Sequence, residues 1–300
     1  MSFSSNVKSE LCRSEVEKNC CALAEAMGAL LYANTFASDQ IRIVTESNDF
    51  ALRLPRLFRK GLGVSFDLVP EGQQSGKQVY AISDPEKIGT VFSRCGFSAA
   101  TSVCLHVNLA LLETECCRRA FLRGAFLAGG SVTDPEKRYH LELSTTHLRV
   151  SRETQTLLEE MGLVAKETER KGSLILYYKQ SESIEDFLTA IGAPVSAMAV
   201  MSAKIEKDWR NTANRKVNCD SANLDKIVAA AQEQLSALRK LQEQGRFDRL
   251  PEKLKETARL RMEYPEAALS ELAELHNPPV TKSAINHRLR KLQTLAAQEE

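Results

Sequence analysis

The sequence predicts an α+β protein. A duplicated α-β-α-β-β-α unit is followed by an all-α domain that ends in a helix-turn-helix. Three observations carry this. The segment CCALAEAMGALLYAN (20–34) returns ninety-six residues later as CCRRAFLRGAFLAGG (116–130), with six of fifteen positions identical. Short strands and helices follow both copies in one order. Beyond residue 221 every periodic segment has helical spacing. The expected domains are a first half (1–100), a second half (101–193), a helical and basic linker (194–221) and the helix-turn-helix domain (222–300).

The elements follow in order. After the first Ala-rich helix, IRIVTES (41–47) is an alternating strand. NDFALRLPRLFRKGLG reads as a helix around Leu52, Leu57 and Phe58, interrupted by Pro55 and closed by Gly61 or Gly63. VSFDLV and KQVYAIS are strands joined by the loop PEGQQSG. DPEKIGTVFSRCG is a helix with Asp84 as N-cap and Gly96 as its stop. In the second copy YHLELSTT is the strand and HLRVSRETQTLLEEMG the helix closed by Gly162. LVAKETE and SLILYYKQ are the paired strands, and SIEDFLTAIG ends at Gly192. Gly28 matches Gly124 and Gly96 matches Gly192, both at the same offset. Ala24, Gly28 and Ala29 therefore face Ala120, Gly124 and Ala125, because small residues at helical spacing let two backbones approach closely.

SAMAVMSAKIEKDW is a helix, and RNTANRKVNCDSAN after it is polar and turn-rich. That linker carries Arg210, Asn214, Arg215 and Lys216, whose cations suit phosphates. NLDKIVAAAQEQLSALRKLQEQG is an amphipathic helix stopped by Gly245. LPEKLKETARLRMEY begins with Pro251 in its first turn. EAALSELAELHN and VTKSAINHRLRKLQTLAAQ form the helix-turn-helix.

On a wheel of about 100° per residue, Ala284, Ile285, Leu289 and Leu292 turn toward Leu269, Leu272 and Leu275. Ser283, Asn286, His287 and Arg290 turn the other way. Lys282 and Lys291 flank that face, and Arg288 sits at the core boundary and reaches outward. Between His276 and Gln298 there are four basic residues (Lys282, Arg288, Arg290, Lys291) and no acid. Arg can bridge guanine, Asn can bridge adenine, and Lys supplies phosphate contacts. This chemistry suits double-stranded DNA better than a solvated face, which usually mixes signs.

Composition narrows the remaining classes. The chain is 43% hydrophobic and 26% charged, with net charge +1. Any basic surface must therefore come from local clustering. No apolar run nears the roughly 20 residues of a membrane helix, and MSFSSNVKSELCRSE is not a secretory signal. The expected setting is a cytoplasm. Eight cysteines without a C-x-x-C pair read as small buried thiols rather than a zinc site. No cofactor is expected.

Two close-packed helices of the form L-x-G-x-x-x-x-x-G, each followed by strands, resemble the LAGLIDADG homing endonucleases. FLRGAFLAGG aligns with that motif up to its acid. The resemblance implies that Gly124 takes the motif's first Gly and that the metal-binding acid falls on Gly129 and on Ala33. The motif's earlier acid falls on Leu127 and Leu31. None of these four can hold a divalent metal, and two-metal phosphodiester cleavage needs carboxylates. Asp39 and Asp134 lie beyond the helix ends. The implied chain is thus no enzyme.

Such a degenerate scaffold joined to a helix-turn-helix resembles the WhiA regulators of Gram-positive bacteria. The resemblance rests on FLRGAFLAGGSVTDPEKRYHLE (121–142), NRKVNCDSAN (214–223) and VTKSAINHRLRKL (280–292). It implies a sequence-specific DNA-binding transcriptional regulator, tied to cell division, chromosome segregation or sporulation. It also implies a helix-turn-helix similar to the promoter-binding domain of sigma factors. Expected partners are DNA, and RNA polymerase, a sigma factor or another regulator; the chain is expected to be a monomer associated with the nucleoid. A division scaffold working through protein contacts and a metal-dependent nuclease are the competing readings. If the last helix did not read DNA, the strands around Arg42 and His140 would be the next place to look.

Overall fold

Two helices, each with a glycine in its C-terminal half, cross at the heart of the N-terminal unit. They are α2 (Asn19–Leu31) and α5 (Glu115–Gly129). In the computed structural model, residues 2–16, 18–70, 76–97 and 104–298 are described. A Cβ on Gly28 would lie 2.1 Å from the Phe121 carbonyl oxygen and 2.9 Å from the Ala125 nitrogen. On Gly124 it would lie 1.9 Å from the Glu25 carbonyl oxygen and 2.9 Å from the Ala29 nitrogen. Glu25 matches Phe121 and Ala29 matches Ala125 at the ninety-six-residue offset. The contact is thus reciprocal, as a pseudo-two-fold axis requires.

Each half builds a sheet against its central helix. In the first, β1 (Thr35–Phe36), β2 (Ile41–Thr45) and β3 (Gln78–Ile82) form an antiparallel sheet in that order. α3 (Asn48–Leu62) and α4 (Pro85–Cys95) cover it. In the second, β4 (Gly130–Val132), β5 (Leu141–Thr145), β6 (Lys166–Arg170) and β7 (Ser173–Tyr178) run in the order β4-β5-β7-β6. α6 (Leu148–Glu160) and α7 (Ser181–Ile191) accompany them. The alternation in β5 is realised, with Leu141 and Leu143 buried and Glu142 and Ser144 turned away. Gly63, Gly96 and Gly192 end α3, α4 and α7 in the left-handed region, and Asp84 accepts from the Glu86 N–H as N-cap.

Several expectations are corrected. Each half has an unexpected short strand directly after the central helix (β1 and β4), so the second half has four strands where three were expected. VSFDLV forms no strand; it keeps a single bridge, Leu68 to Ala81, and most of the loop after it (71–75) lies outside the described residues. The boundary at 100/101 also lies outside them. α3 runs unbroken through Pro55. Gly61 serves close approach rather than closure, since a Cβ there would lie 2.6 Å from the Ala22 carbonyl carbon. The cysteines are not uniformly buried: Cys95 and Cys117 are, but Cys20, Cys104, Cys116 and Cys219 are exposed, and all eight are free thiols.

The N-terminal helix α1 (Phe3–Arg13) packs on α3 of the first half and reaches α5 and β4 of the second. Its Lys8 Nζ donates to the Leu127 carbonyl at 3.0 Å. Ser4 Oγ accepts from the Val132 N–H. Glu10 accepts from the N–H groups of Val195 and Ser196 at 2.7 and 2.9 Å, which caps α8 (Pro194–Glu243). Beneath α1 lies a buried ionic cluster. Glu25 faces Arg53 at 2.5 Å and Arg123 at 3.5 Å. Arg53 also donates to the carbonyls of Cys12 and Ser14, and Arg123 to that of Ile191.

α8 replaces the expected turn-rich linker. It runs without a break from the first unit (Met1–Lys207) into the second (Asp208–Glu300). Between Pro194 and Gly245 there is no Gly or Pro. Asn, Ser and Asp each disfavour a helix by only about 0.7 kcal/mol or less. No helix in the described residues is long and apolar enough to cross a membrane.

Two outcomes test this packing. Gly124→Ala inserts a methyl into the Glu25 backbone and should cost about 1–3 kcal/mol or more. Gly89→Ala, in the interior of α4 with nothing within 4 Å, should instead gain about 0.5–1 kcal/mol. Equal melting temperatures for the two variants would refute the close crossing. The second outcome concerns Lys8, whose pKa burial lowers from 10.5 to about 8. Between those values the unfolded chain binds more protons, so the Lys8 contribution to stability rises with pH. The stability of Lys8→Met relative to the parent should therefore fall as pH rises from 8 to 10.5. Denaturant unfolding at both ends of that window reads the trend; a constant difference would mean the ammonium is not desolvated.

Candidate nucleic-acid interface

The C-terminal unit packs the end of α8 against three helices, α9 (Glu252–Glu263), α10 (Leu269–Glu274) and α11 (Lys282–Ala297). Its core joins Leu238 and Leu241 with Leu254, Ala258, Leu272, Ile285, Leu289 and Leu292. Thr281 caps α11 by accepting from the Ala284 N–H, and Glu271 accepts from the Ala268 N–H at the start of α10. The Val280 N–H donates to the Ala273 carbonyl and closes the turn between α10 and α11.

A polar latch holds that turn. The Glu256 carboxylate accepts from the Asn277 N–H at 3.3 Å, and its other oxygen lies 3.2 Å from His276 Nδ1. The Asn277 N–H, ahead of the His276 ring, holds the Glu256 carboxyl below its ordinary range. Thr257 Oγ1 donates to the Lys253 carbonyl and stands 3.2 Å from His276 Nε2. It also accepts from Arg288 Nη1 at 3.3 Å. Fully buried Arg261 donates to the carbonyls of Pro265 and Ala267 and fixes the loop before α10. Burial lowers its pKa.

The outer face of α11 is basic and polar. Lys282, Ser283, His287, Arg290 and Lys291 are exposed. Ile285, Leu289, Leu292 and Ala296 are spent in the core. Two expected directions are corrected. Arg288 turns inward to Thr257 and does not reach out. Asn286 is half-buried at the edge of the face, about 90° from the centre of the buried stripe at about 100° per residue. Leu275, expected in the core, is exposed, because α10 ends one residue earlier. Arg210, Asn214, Arg215 and Lys216 are exposed on α8. On the helix Arg210 and Asn214 share one face, i and i+4, while Arg215 and Lys216 turn to other sides, so the four cannot all lie along one strand of phosphates.

At the C-terminal ends of the central helices, the positions of the endonuclease motif carry no metal-binding group. Leu31 and Leu127 are buried in the core. Ala33 and Gly129 offer no ligand atom, and a Cβ on Gly129 would lie 2.6 Å from the Ser144 carbonyl oxygen and 3.0 Å from the Tyr32 ring. Tyr32 and the Ser144 backbone therefore fill the space into which a carboxylate would project. Lys8 brings a cation to the carbonyl of Leu127 instead. Asp134 is used in its own turn, accepting from the Glu136 N–H. The residues present do not fit the divalent ions of a phosphodiesterase. On the second sheet, Glu142 is met by His140 at 3.1 Å and by Ser131 at 3.2 Å.

Sequence reasoning missed Lys8, Glu25, Arg53, Arg123, Arg261 and the latch around Glu256. One signal was available for Glu25, a lone acid in the otherwise apolar run ALAEAMGALL.

Comparisons agree with this geometry. Residues 118–210 match the WhiA LAGLIDADG-like domain, and residues 213–296 match the WhiA C-terminal HTH domain. A "Probable cell division protein WhiA" from Heliobacterium modesticaldum is 41% identical, covering 99% of this chain and 96% of the relative. One of the same description from Ruminiclostridium cellulolyticum is 39% identical, with 99% and 97% covered. The crystal structure of full-length DUF199/WhiA from Thermatoga maritima shares the fold at TM-score 0.60 and 24% identity, with 99% and 98% covered. A duplicated scaffold without metal-binding acids, followed by a helix-turn-helix and matched along its whole length, identifies the chain as a member of the WhiA family.

Proposed function

We propose that this chain is a sequence-specific double-stranded-DNA-binding regulator of transcription whose endonuclease-like unit does not cut. The observation that carries the reading is the outer face of α11, basic, free of acids and spared by the core. Arg290 and His287 are the side chains best aimed at base edges. Asn286 reaches from the groove margin. Lys282 and Lys291 serve phosphates, as do Ser283 and the first N–H groups of α11. Arg288 acts as a positioning residue through Thr257. Arg210, Arg215 and Lys216 add charge and Asn214 a neutral amide, all without sequence preference, and any one duplex meets only some of them. As a monomer with one recognition helix, the chain reads a single element rather than a palindrome. The relatives' name supports a role in cell division, with chromosome segregation and sporulation as its wider setting. RNA polymerase, its sigma factor or a second regulator is the expected protein partner at the nucleoid of the cytoplasm.

Binding to a specific and a scrambled duplex at one salt concentration tests the reader. Arg290→Ala should cost about 1–3 kcal/mol at the specific site and relax the preference at one or two base pairs. Lys291→Ala should weaken both duplexes alike. A specific-to-scrambled ratio untouched by Arg290→Ala would move recognition to the sheets, around Arg42 or His140. Supercoiled plasmid incubated with the protein and Mg²⁺ or Mn²⁺ should stay intact, since Ala33 and Gly129 supply no ligand. Nicking that co-purifies with the chain and vanishes with EDTA would restore the nuclease reading.

A further inference from the structure

The repeated Cys-Cys pairs open the two central helices, and the crossing brings them together. The sulfurs of Cys20, Cys21 and Cys117 all lie within 4.8 Å of one another. Cys116 lies beside Cys21 on the same rim, with its sulfur 3.3 Å from Thr114 Oγ1. We propose that these four cysteines form a thiolate site for one thiophilic metal ion of the zinc type, bridging the two halves of the repeat.

Geometry supports the assignment. A Zn–S bond of about 2.3 Å sets tetrahedral sulfurs roughly 3.8 Å apart, so closing the spacing among Cys20, Cys21 and Cys117 asks for about half an ångström per sulfur, while Cys116, outside that 4.8 Å group, must turn from Thr114 to join them. Cys20 and Cys116 are exposed, Cys21 is half-buried and Cys117 is buried. A solvated ion can thus reach the two outer sulfurs first and settle on an anchored base. All four are free thiols.

The surrounding charge fits a cation-loaded thiolate cluster. Uncompensated thiolates would repel at this spacing; a divalent ion relieves that and releases the thiol protons to solvent. The excess negative charge then faces the N-termini of α2 and α5, whose dipoles favour thiolates. Lys18, Arg119 and Arg123 line the depression beside the sulfurs. The usual sequence sign of such a site is a C-x-x-C pair within one segment. Here the ligands come as neighbours on two helices, and only the pseudo-two-fold crossing assembles them.

Titration of the full chain, reduced and free of air, with Co²⁺ is the test. One equivalent should raise a sulfur-to-cobalt charge-transfer band and the intense visible bands of four-coordinate cobalt, and one equivalent of Zn²⁺ should abolish them. Exposed Cys20→Ser and Cys116→Ser keep the helix packing and should each weaken binding at least tenfold. Cys219→Ser should leave binding unchanged. Zn²⁺ should also raise the melting temperature of the parent more than that of Cys20→Ser. Absence of a cobalt band in the reduced parent would overturn the proposal. So would a band that survives in a Cys20→Ser/Cys21→Ser double variant, or a loss of two hydrogens per chain by mass with no metal taken up, which would mark a disulfide instead.

Discussion

The backbone contact at Gly28 and Gly124 is the constraint on which the first unit depends. Two helices this close leave no room for side chains at the crossing, so the neighbours must be small or must point away. Ala24, Ala29, Ala120 and Ala125 satisfy the first condition. Leu30, Leu31, Phe126 and Leu127 satisfy the second by filling the cores of their own halves. Because the contact is reciprocal, each half is incomplete without the other, and α2 and α5 belong to one folding unit.

The crossing also fixes where charge can be hidden. Glu25 is the acid one turn before Gly28, and it is buried with Arg53 and Arg123 around it. Such a cluster adds little net stability over an apolar core, yet removing one partner leaves an uncompensated charge and typically costs about 3–5 kcal/mol. Its value lies in registry: the two guanidinium groups tie α3 and α5 to one carboxylate, and through carbonyls to the chain after α1 and to the end of α7. At the other end of the same helices the logic of the endonuclease scaffold is inverted. Where that scaffold gathers carboxylates around cations, this chain has an alanine, a glycine under a tyrosine ring, and a lysine donated by α1.

What could be read from sequence divides along the range of the interactions. The caps at Asp84 and Gly192 and the buried stripe of α11 depend on residues a few positions apart, and the long-range glycine crossing was legible because the repeat shows the same small-residue helix twice at one offset. Misreadings arose where a local rule met a missing breaker or a remote partner. The segment from Arg210 to Asn223 looks like a turn by its Asn and Ser content. It is helical because neither Gly nor Pro interrupts it. Arg288 looked like an outward cation, but the hydroxyl that holds it belongs to Thr257, thirty-one positions away. The wheel placed Asn286 on the reading face and the fold puts it at the margin, since helices on two sides cover α11. The convergence of the paired cysteines needed the crossing itself, which no spacing within one segment encodes.

The position of Glu10 has a consequence for how the chain is made. Helix α1 is synthesised well before Leu127, Val132 and the N–H groups of Val195 and Ser196, with all of which it forms hydrogen bonds. At roughly 5–20 residues per second, the cap on α8 cannot form until roughly 10–40 seconds after Glu10 is synthesised. During that interval the apolar side of α1, with Val7 and Leu11, has only the first half available to it. The nascent chain therefore carries an unfinished surface for most of its synthesis. Completion of the first unit coincides with delivery of the helix that leads to the C-terminal helix-turn-helix domain.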